Sequence, residues 1–308
     1  MTRRRFSSNA GGFLFKTGLF AALASLAFFL FNQGDSKKSN RPIDGKPPVE
    51  ISDDRSEAPG PESQTESQVP EDIFPASSGE LVRHTWYALG YAEDHEQAEW
   101  VAYELTREHL NEHWAERSNT FRPDQAVHTE SATPRDYSSS GYDKGHLCPA
   151  ADMAFDATAM DETFLMSNMS PQVPAFNKGI WRELEELTRD WARRFKHLYV
   201  VTGPVLTQHG LGKIGFNKVT VPAAYYKVLF APDQQRGIAF ILPNLMSEKL
   251  VMDFACPIDQ VEERTGIDFF PKLPKALGEA LEGSLDKNAW PISRTRYEQR
   301  VKVWNVRR

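Results

Sequence analysis

Short, β-rich runs of apolar residues recur along this chain and constrain its fold more than any other feature. Several are bounded by Gly, Pro or Asn, which is the pattern of strands joined by turns. The runs lie at 84–91, 100–104, 198–202, 224–230 and 238–242, and shorter strands are predicted at 141–148 and 164–167.

One amphipathic helix stands out among these strands. Apolar residues recur at helical spacing between Ile180 and Phe195, which predicts a helix from about Pro174 to Lys196. Two weaker helices are predicted near 257–265 and 274–282. The fold class is therefore predicted to be α+β, with a mostly antiparallel central sheet flanked by helices.

The formal net charge of −6 is the total of three unlike regions. Residues 1–34 carry +4 with no acid, residues 35–79 carry −5, and residues 80–308 carry −5. A simple nucleic-acid binder would be basic, but a mildly acidic enzyme can still bind phosphates through a local basic patch. Net charge alone therefore does not decide the partner.

The first region, 1–34, is predicted to be a membrane anchor or signal. Three arginines precede an apolar run from Thr17 to Phe31, and extending the run back to Phe13 gives roughly the ~20 residues that span a bilayer. No small-residue cleavage site follows, which favours an uncleaved anchor. A domain facing the bacterial periplasm or envelope fits such an anchor best, and the acid-free N-terminus also permits a mitochondrial address.

The second region, 35–79, is predicted to be a disordered acidic tether. It contains seven prolines, many Ser, Asp and Glu, and Phe74 as its only aromatic residue. Such a segment buries too little apolar surface to offset the entropy of ordering. The globular domain is predicted to occupy 80–308.

Two cysteines, Cys148 and Cys256, are too few for a disulfide scaffold. A single bridge in an oxidising compartment and two buried thiols are both compatible with the sequence.

The residues that suggest chemistry follow one another along the chain. Tyr142-Asp143-Lys144-Gly145-His146 lies on a predicted strand, and Asn177 and Glu185 lie on the amphipathic helix. Each has an ordinary explanation when taken alone. A lone His is more often structural than catalytic, an Asn near a helix start is often a cap, and a Glu on a polar face is usually only solvated.

Together these residues resemble the DNA/RNA non-specific endonuclease family, which includes endonuclease G and secreted bacterial nucleases. The family signature is Asp-Arg-Gly-His on a strand, followed by an Asn on a helix and an acid eight residues later. Asn177 follows His146 by 31 residues here, and Glu185 follows by 39. The resemblance covers nearly all of 80–275 and implies a ββα-metal active-site motif within the α+β fold.

The resemblance and the chemistry of phosphodiester hydrolysis together predict a role for each residue. A neutral His146 imidazole is suited to act as general base. The amide oxygen of Asn177 can be the only direct protein ligand of a divalent ion, Mg²⁺, for which Mn²⁺ can substitute. Glu185 would lie about 80° around the helix from Asn177 at ~100° per residue and could orient a metal-bound water. Asp143 is predicted to fix the strand by bonding backbone donors.

Two cations complete the predicted site. Lys144 stands where the family has Arg, so it keeps the charge but lacks the bidentate fork. Arg122 resembles the family's arginine in the Phe-Arg-x-Asp segment and is predicted to stabilise the transition state. A surface ion pair between Arg122 and Asp124 is the alternative.

The sequence thus predicts a metal-dependent, sugar-non-specific endonuclease acting on DNA and RNA. An inactive or weak nucleic-acid-binding module and a small-molecule phosphodiesterase are the alternatives. The stretch 287–308 combines seven bases with aromatic residues, which suits nucleic acid, although an amphipathic terminal strand covering the core is favoured. A homodimer is permitted but not predicted.

Overall fold

The computed structural model describes residues 67–76, 78–112, 115–207 and 210–306, and every structural statement below refers to these residues. Eleven strands and seven α-helices are present in this part of the chain. The strands are β1 (Glu80–Arg83), β2 (Tyr87–Ala92), β3 (Gln97–Thr106), β4 (Asp143–His146), β5 (Met169–Gln172), β6 (His197–Pro204), β7 (Lys213–Ile214), β8 (Val219–Thr220), β9 (Ala224–Ala231), β10 (Arg236–Pro243) and β11 (Ala255–Cys256). The helices are α1 (Arg107–Asn111), α2 (Ala157–Glu162), α3 (Pro174–Phe176), α4 (Arg182–Phe195), α5 (Ile258–Thr265), α6 (Lys275–Glu282) and α7 (Arg294–Gln299).

A seven-stranded sheet forms the centre, in the order β1-β2-β3-β6-β9-β10-β11, and all its pairs are antiparallel. Successive side chains of a strand point to opposite faces, so the sheet has two cores. On β9, Tyr225 and Leu229 lie in the core shared with α4, whereas Tyr226 and Val228 lie in the core shared with α5 and α6. The predicted α+β class with an antiparallel sheet is confirmed.

The helix predicted at 174–196 is present but is not continuous. It comprises α3, a π-helical turn over Asn177–Trp181, which is called the wide turn below, and α4. Gly179 interrupts the helical geometry inside the turn, with φ of −104° and ψ of −110°. The ideal 100° per residue therefore does not apply between Asn177 and Glu185, and the predicted 80° separation is wrong.

The strand predicted at 164–167 is also wrong. Residues Met166–Asn168 form a 3₁₀ turn, and the strand follows at β5. The buried Asn168 side chain explains the turn, because it accepts from the backbone N–H of Cys148 (2.8 Å) and donates to the carbonyls of Cys148 (2.9 Å) and Thr163 (2.9 Å). These bonds join the loop after β4 to the loop before β5.

The folded part begins before residue 80. Val69, Ile73 and Phe74 are buried, and Ala76 forms an antiparallel bridge with Asp268. The ring centroid of Phe74 lies 6.1 Å from that of Trp100 on β3. Residues 67–76, which composition assigned to the tether, therefore contribute to the core, because their three apolar side chains pack into the cluster on one face of the sheet.

Two further sequence predictions concern the cysteines and the membrane. Cys148 and Cys256 are buried free thiols rather than a disulfide. Among the described residues, no helix has the length and apolarity needed to cross a membrane. The predicted anchor at 1–34, and the predicted tether up to residue 66, lie outside the described residues.

Replacing Asn168 by Ala should destabilise the domain by about 2–4 kcal/mol, because several buried backbone groups lose their partner at once. The free energy of unfolding in urea measures the effect. Asn288→Ala is the matched control, since Asn288 is exposed, has no positive φ and should change stability by less than about 0.5 kcal/mol. Equal stability of the two variants would contradict the role given to Asn168.

Candidate active site

Strands β4 and β5 form a separate antiparallel pair that positions His146. Gly145 pairs with Ser170, and His146 pairs with Met169. A Cβ atom on Gly145 would lie 2.2 Å from Cδ of Gln172, so only glycine lets the strand approach Gln172 this closely. The pair delivers the His146 side chain from the last residue of β4.

His146 lies between two aromatic rings. Its ring centroid is 5.1 Å from that of Phe164, in an edge-to-face arrangement, and 5.8 Å from that of Phe121. Its Nε2 atom is buried and has no hydrogen-bond partner among the described residues. Burial lowers the pKa of His146 to about 3, and the positive charge of Arg117 contributes in the same direction. The imidazole is therefore neutral at physiological pH.

Asn177 is held by the first residue of the same strand. Its side-chain Nδ2 donates to Oδ2 of Asp143 (3.0 Å), and the same carboxylate forms an ion pair with Lys178 (2.9 Å). The bond engages the amino end of the amide, so the carbonyl oxygen is the end that is available for coordination. Asp143 thus fixes two side chains of the helix rather than the backbone donors predicted from sequence.

Glu185 lies on α4, eight residues after Asn177. Burial raises the pKa of Glu185 to about 7, while the positive charges of Lys227 and Arg189 act in the opposite direction. Lys227 is fully buried on β9, and its Nζ lies 5.0 Å from the ring centroid of Trp181. Within the described part of the chain, that Nζ has no hydrogen-bond partner. Lys227 therefore favours the ionised form of Glu185 from beneath the helix.

These side chains meet in one cleft of about 400 Å³. Five cations line it against two carboxylates, so a basic surface exists in a chain whose net charge is −6. Its lining residues are Arg117, Phe121, Lys144, His146, Pro149, Ala150, Ala151, Asn177, Lys178, Arg182, Glu185, Glu186 and Arg189. The structure thus brings together four of the predicted site residues, His146, Lys144, Asn177 and Glu185.

Arg122 is the predicted residue that does not join them. It is not among the residues that line the cleft, and its guanidinium forms an ion pair with Asp161 (2.7 Å). The alternative pairing with Asp124 is also wrong, because Asp124 is buried against His84 (2.9 Å) and Ser167.

Arg117 is a cleft cation that the sequence did not reveal. It lies in a polar stretch without periodicity, and no residue pattern distinguishes it from a surface arginine. Its guanidinium carbon is 4.9 Å from the ring centroid of Phe164, the ring that also contacts His146. In the described residues, neither Arg117 nor Lys144 takes part in an ion pair. Both charges therefore remain available for an anion.

A larger cavity of about 600 Å³ lies elsewhere, and its chemistry differs. Four carboxylates line it, from Glu80, Glu93, Asp94 and Glu99, without a Lys or Arg. Such a surface repels phosphates. The smaller, cationic cleft is therefore the candidate active site.

A strand pair ending in His146, followed by a helix that carries Asn177 and Glu185 to the same cationic cleft, is the arrangement of a ββα-type nuclease. Comparison with known proteins agrees with this class. The family model described as DNA/RNA non-specific endonuclease matches residues 66–276. The chain accordingly belongs to the DNA/RNA non-specific endonuclease family, and it is a nuclease.

Individual relatives cover most of the same region. The chain is 36% identical to "Endonuclease G, mitochondrial" of Homo sapiens over 202 residues. This aligned region covers 61% of this chain and 68% of that protein. It is 35% identical over 216 residues to a nuclease of Nostoc sp., which covers 65% of this chain and 76% of that protein. The crystal structure of an EndoG/EndoGI complex is similar with a TM-score of 0.62 at 30% identity, covering 69% of this chain and 95% of that one.

Replacing the buried Lys227 by Met should move the acid limb of the pH–rate profile to higher pH by about one unit. The pKa of Glu185 is raised to about 7 with Lys227 present, so loss of the positive charge raises it further. A larger fraction of Glu185 is then protonated at a given pH, and activity falls off sooner as pH decreases.

The exposed Lys213, whose Nζ bonds the carbonyl of Asp94 (3.0 Å), provides the control. Lys213→Met removes the same charge far from Glu185 and should leave the profile in place. An acid limb that stays fixed in Lys227→Met would show that Lys227 does not influence the ionisation of Glu185.

Proposed function

We propose that the cleft hydrolyses phosphodiester bonds in both DNA and RNA, with a divalent cation held at Asn177 and with His146 as the general base. The observation that carries the proposal is that His146, Asn177 and Glu185 line one cleft together with five cations. Phosphodiester hydrolysis needs a proton acceptor, charge stabilisation at phosphoryl oxygens and a bound backbone, and the cleft has a group for each.

The residues present fit a hard cation such as Mg²⁺, and Mn²⁺ could replace it. Mg²⁺ prefers oxygen ligands and retains several waters, so one amide oxygen can serve as its only protein ligand. Asp143 holds the Asn177 amide by its nitrogen (3.0 Å), which leaves the oxygen for this purpose. Glu185, once ionised, would accept hydrogen bonds from the metal's waters. The chemistry supplied by the ion would be stabilisation of charge on the phosphoryl and leaving oxygens.

His146 would accept the proton of the attacking water at Nε2. That atom is buried without a partner among the described residues, and burial keeps the imidazole neutral by lowering its pKa to about 3. A neutral ring nitrogen with no competing donor is ready to accept a proton. A bound phosphate would add negative charge nearby and thereby raise the basicity of the ring.

Arg117 and Lys144 would bind the phosphate that is cleaved. We assign the transition-state charge to Arg117 rather than to Arg122, because Asp161 already neutralises Arg122. Lys178, Arg182 and Arg189 extend the positive surface, although each is paired with a carboxylate. Contacts of this kind read the backbone and not the bases, which supports low sequence specificity.

A plasmid-nicking assay with and without EDTA tests the proposal against its alternatives. We expect nicking of plasmid and degradation of RNA in Mg²⁺, and loss of both in EDTA. Retention of nucleic acid without cleavage would indicate a binding module. Hydrolysis of a small diester such as bis(p-nitrophenyl) phosphate without cleavage of polymers would indicate a small-molecule phosphodiesterase.

For location, we propose that residues 1–34 direct the enzyme to its compartment. The mitochondrial name of the human relative supports the mitochondrial address over the periplasmic one, and the acid-free N-terminus is compatible with it. A fluorescent reporter fused after residue 34 tests this directly. A reporter that is spread uniformly through the cytosol would contradict a targeting role.

His146→Ala should lower the cleavage rate by about 10²–10⁴-fold, since a general base is removed. Filter binding of DNA and thermal stability should stay near the parent values, because the cations of the cleft remain. His128→Ala is the control at an exposed histidine and should cleave normally. Activity of His146→Ala within a few-fold of the parent would remove His146 from the mechanism.

Asn177→Ala and Glu185→Ala should both raise the Mg²⁺ concentration that gives the half-maximal rate. We expect the larger effect for Asn177→Ala, because it removes the direct ligand. Glu185 acts through water, and losses of this kind are typically about 10–100-fold. Mg²⁺ titrations of both variants that superpose on the parent curve would rule out this metal site.

A further inference from the structure

The C-terminal segment, residues 287–306, lies beyond the region that the family model matches, which ends at 276. It contains a 3₁₀ turn at Lys287–Ala289, helix α7 and a second wide turn at Arg300–Trp304. The amphipathic strand predicted for this stretch is therefore wrong, although its covering role is right. The segment contacts α4 and the turn before it at successive points.

The first part of the segment covers the core. Trp290 is 1% exposed, and its ring centroid lies 5.3 Å from that of Trp191 and 4.9 Å from that of Phe195 on α4. The Trp191 indole N–H donates to the carbonyl of Pro291 (2.8 Å). Further along, Arg296 forms an ion pair with Glu186 (2.9 Å). These contacts attach the segment to α4.

Arg300 is buried and contacts three separate parts of the chain. Its side chain is fully buried and forms an ion pair with the buried Glu183 of α4. The same guanidinium donates to the carbonyls of Ser247 and Lys249 (2.6 Å), which lie after β10. A buried ion pair adds little net stability, because both charges must be desolvated. Its directional bonds, however, fix the relative position of the groups that it joins.

The last residues of the segment reach the wide turn that carries Asn177. Asn305 Oδ1 lies 2.8 Å from the point where a Cβ on Gly179 would be, so the side chain occupies the space left by that glycine. Asn305 Nδ2 donates to the carbonyl of Ser247 (3.1 Å), one of the carbonyls held by Arg300. One residue earlier, the Trp304 ring lies 4.1 Å from the Arg182 guanidinium carbon at the edge of the cleft.

We propose that Arg300 and Asn305 are positioning residues for the divalent-cation site at Asn177. Asn305 occupies the space beside Gly179 in the Asn177–Trp181 turn, and Arg300 holds the Ser247 carbonyl to which Asn305 is bonded. The inference rests on the proposed metal site. A regular helix would relate Asn177 and Glu185 by a different rotation, because a wide turn adds a residue to the helical repeat. Contacts that stabilise the wide turn therefore determine whether the Asn177 and Glu185 side chains can act on the same bound ion.

The test measures cation binding without substrate, by electron paramagnetic resonance of free Mn²⁺ in titrations of the full chain. We expect Asn305→Ala and Arg300→Lys each to weaken Mn²⁺ binding by about 10-fold or more, the lower end for residues that act through a ligand. The cleavage rate at saturating Mn²⁺ should stay within a few-fold of the parent, because neither residue lines the cleft. Circular dichroism melting of each variant shows whether it is folded.

Two comparison variants make the result decisive. Trp290→Phe is the matched control, because it weakens the packing of the same segment on Trp191 and Phe195 of α4 without touching Gly179, Ser247 or a residue that lines the cleft; it should bind Mn²⁺ like the parent. Equal weakening in Trp290→Phe would mean that the segment acts only through general stability, and this would overturn the inference. Asn305→Ala, which removes only one amide, remains informative even if Arg300→Lys fails to fold.

Asn177→Ala separates failure of the inference from failure of the proposed function. If Asn177→Ala loses Mn²⁺ binding while folded Asn305→Ala and Arg300→Lys bind normally, the metal site stands and the positioning role is overturned. If Asn177→Ala binds Mn²⁺ like the parent, the metal site itself is wrong and the inference falls with it.

Discussion

Burial of helix α4 against the central sheet is the constraint on which the cleft depends. Leu184, Leu187 and Trp191 face the sheet and are almost fully buried, and the Trp191 ring stacks on Phe240 of β10 at 5.8 Å. Each such side chain contributes about 1.5–3 kcal/mol when removed from water. Because one face of the helix is fixed in this way, Glu185 and the preceding Asn177 are held at the cleft.

Burial also sets the charge state of His146 and Glu185, and it acts on their pKa values in opposite directions. Desolvation disfavours the charged form of any group, so it lowers the pKa of His146 to about 3 and raises the pKa of Glu185 to about 7. A neutral imidazole results directly. Glu185 needs positive charge nearby to be an acceptor at neutral pH, and Lys227 supplies it from the sheet below, as a bound divalent cation would from the cleft.

Much of this arrangement can be predicted from the sequence, because periodicity records which face of an element is buried. The strands near 198–202, 224–230 and 238–242 and the helices near 257–265 and 274–282 all occur close to their predicted bounds. The spacing of His146, Asn177 and Glu185 led to three side chains that line one cleft. These features depend on local sequence patterns, which can be recognised without knowing the tertiary structure.

The failures share one cause, which is that a competing partner distant in sequence decides the outcome. The run before Asn168 resembles a strand, but a side-chain amide bonded to Cys148 makes it a turn. Phe74 lies in an acidic, proline-containing stretch, yet Trp100 on β3 provides a surface for it. Arg122 and Arg117 are five residues apart, and Asp161 forms an ion pair with Arg122 only. No local pattern encodes such pairings.

Lys144, which stands where the family usually has arginine, also has to be considered together with its neighbours in the cleft. Lysine offers a point charge without the planar fork that grips a phosphate with two bonds. The Lys144 Nζ lies 4.8 Å from the ring centroid of Phe121, where a cation is stabilised by the aromatic face. Arg117 lines the same cleft and presents a guanidinium that no carboxylate of the described residues neutralises. A planar guanidinium is thus present in the cleft although the motif carries lysine in place of arginine.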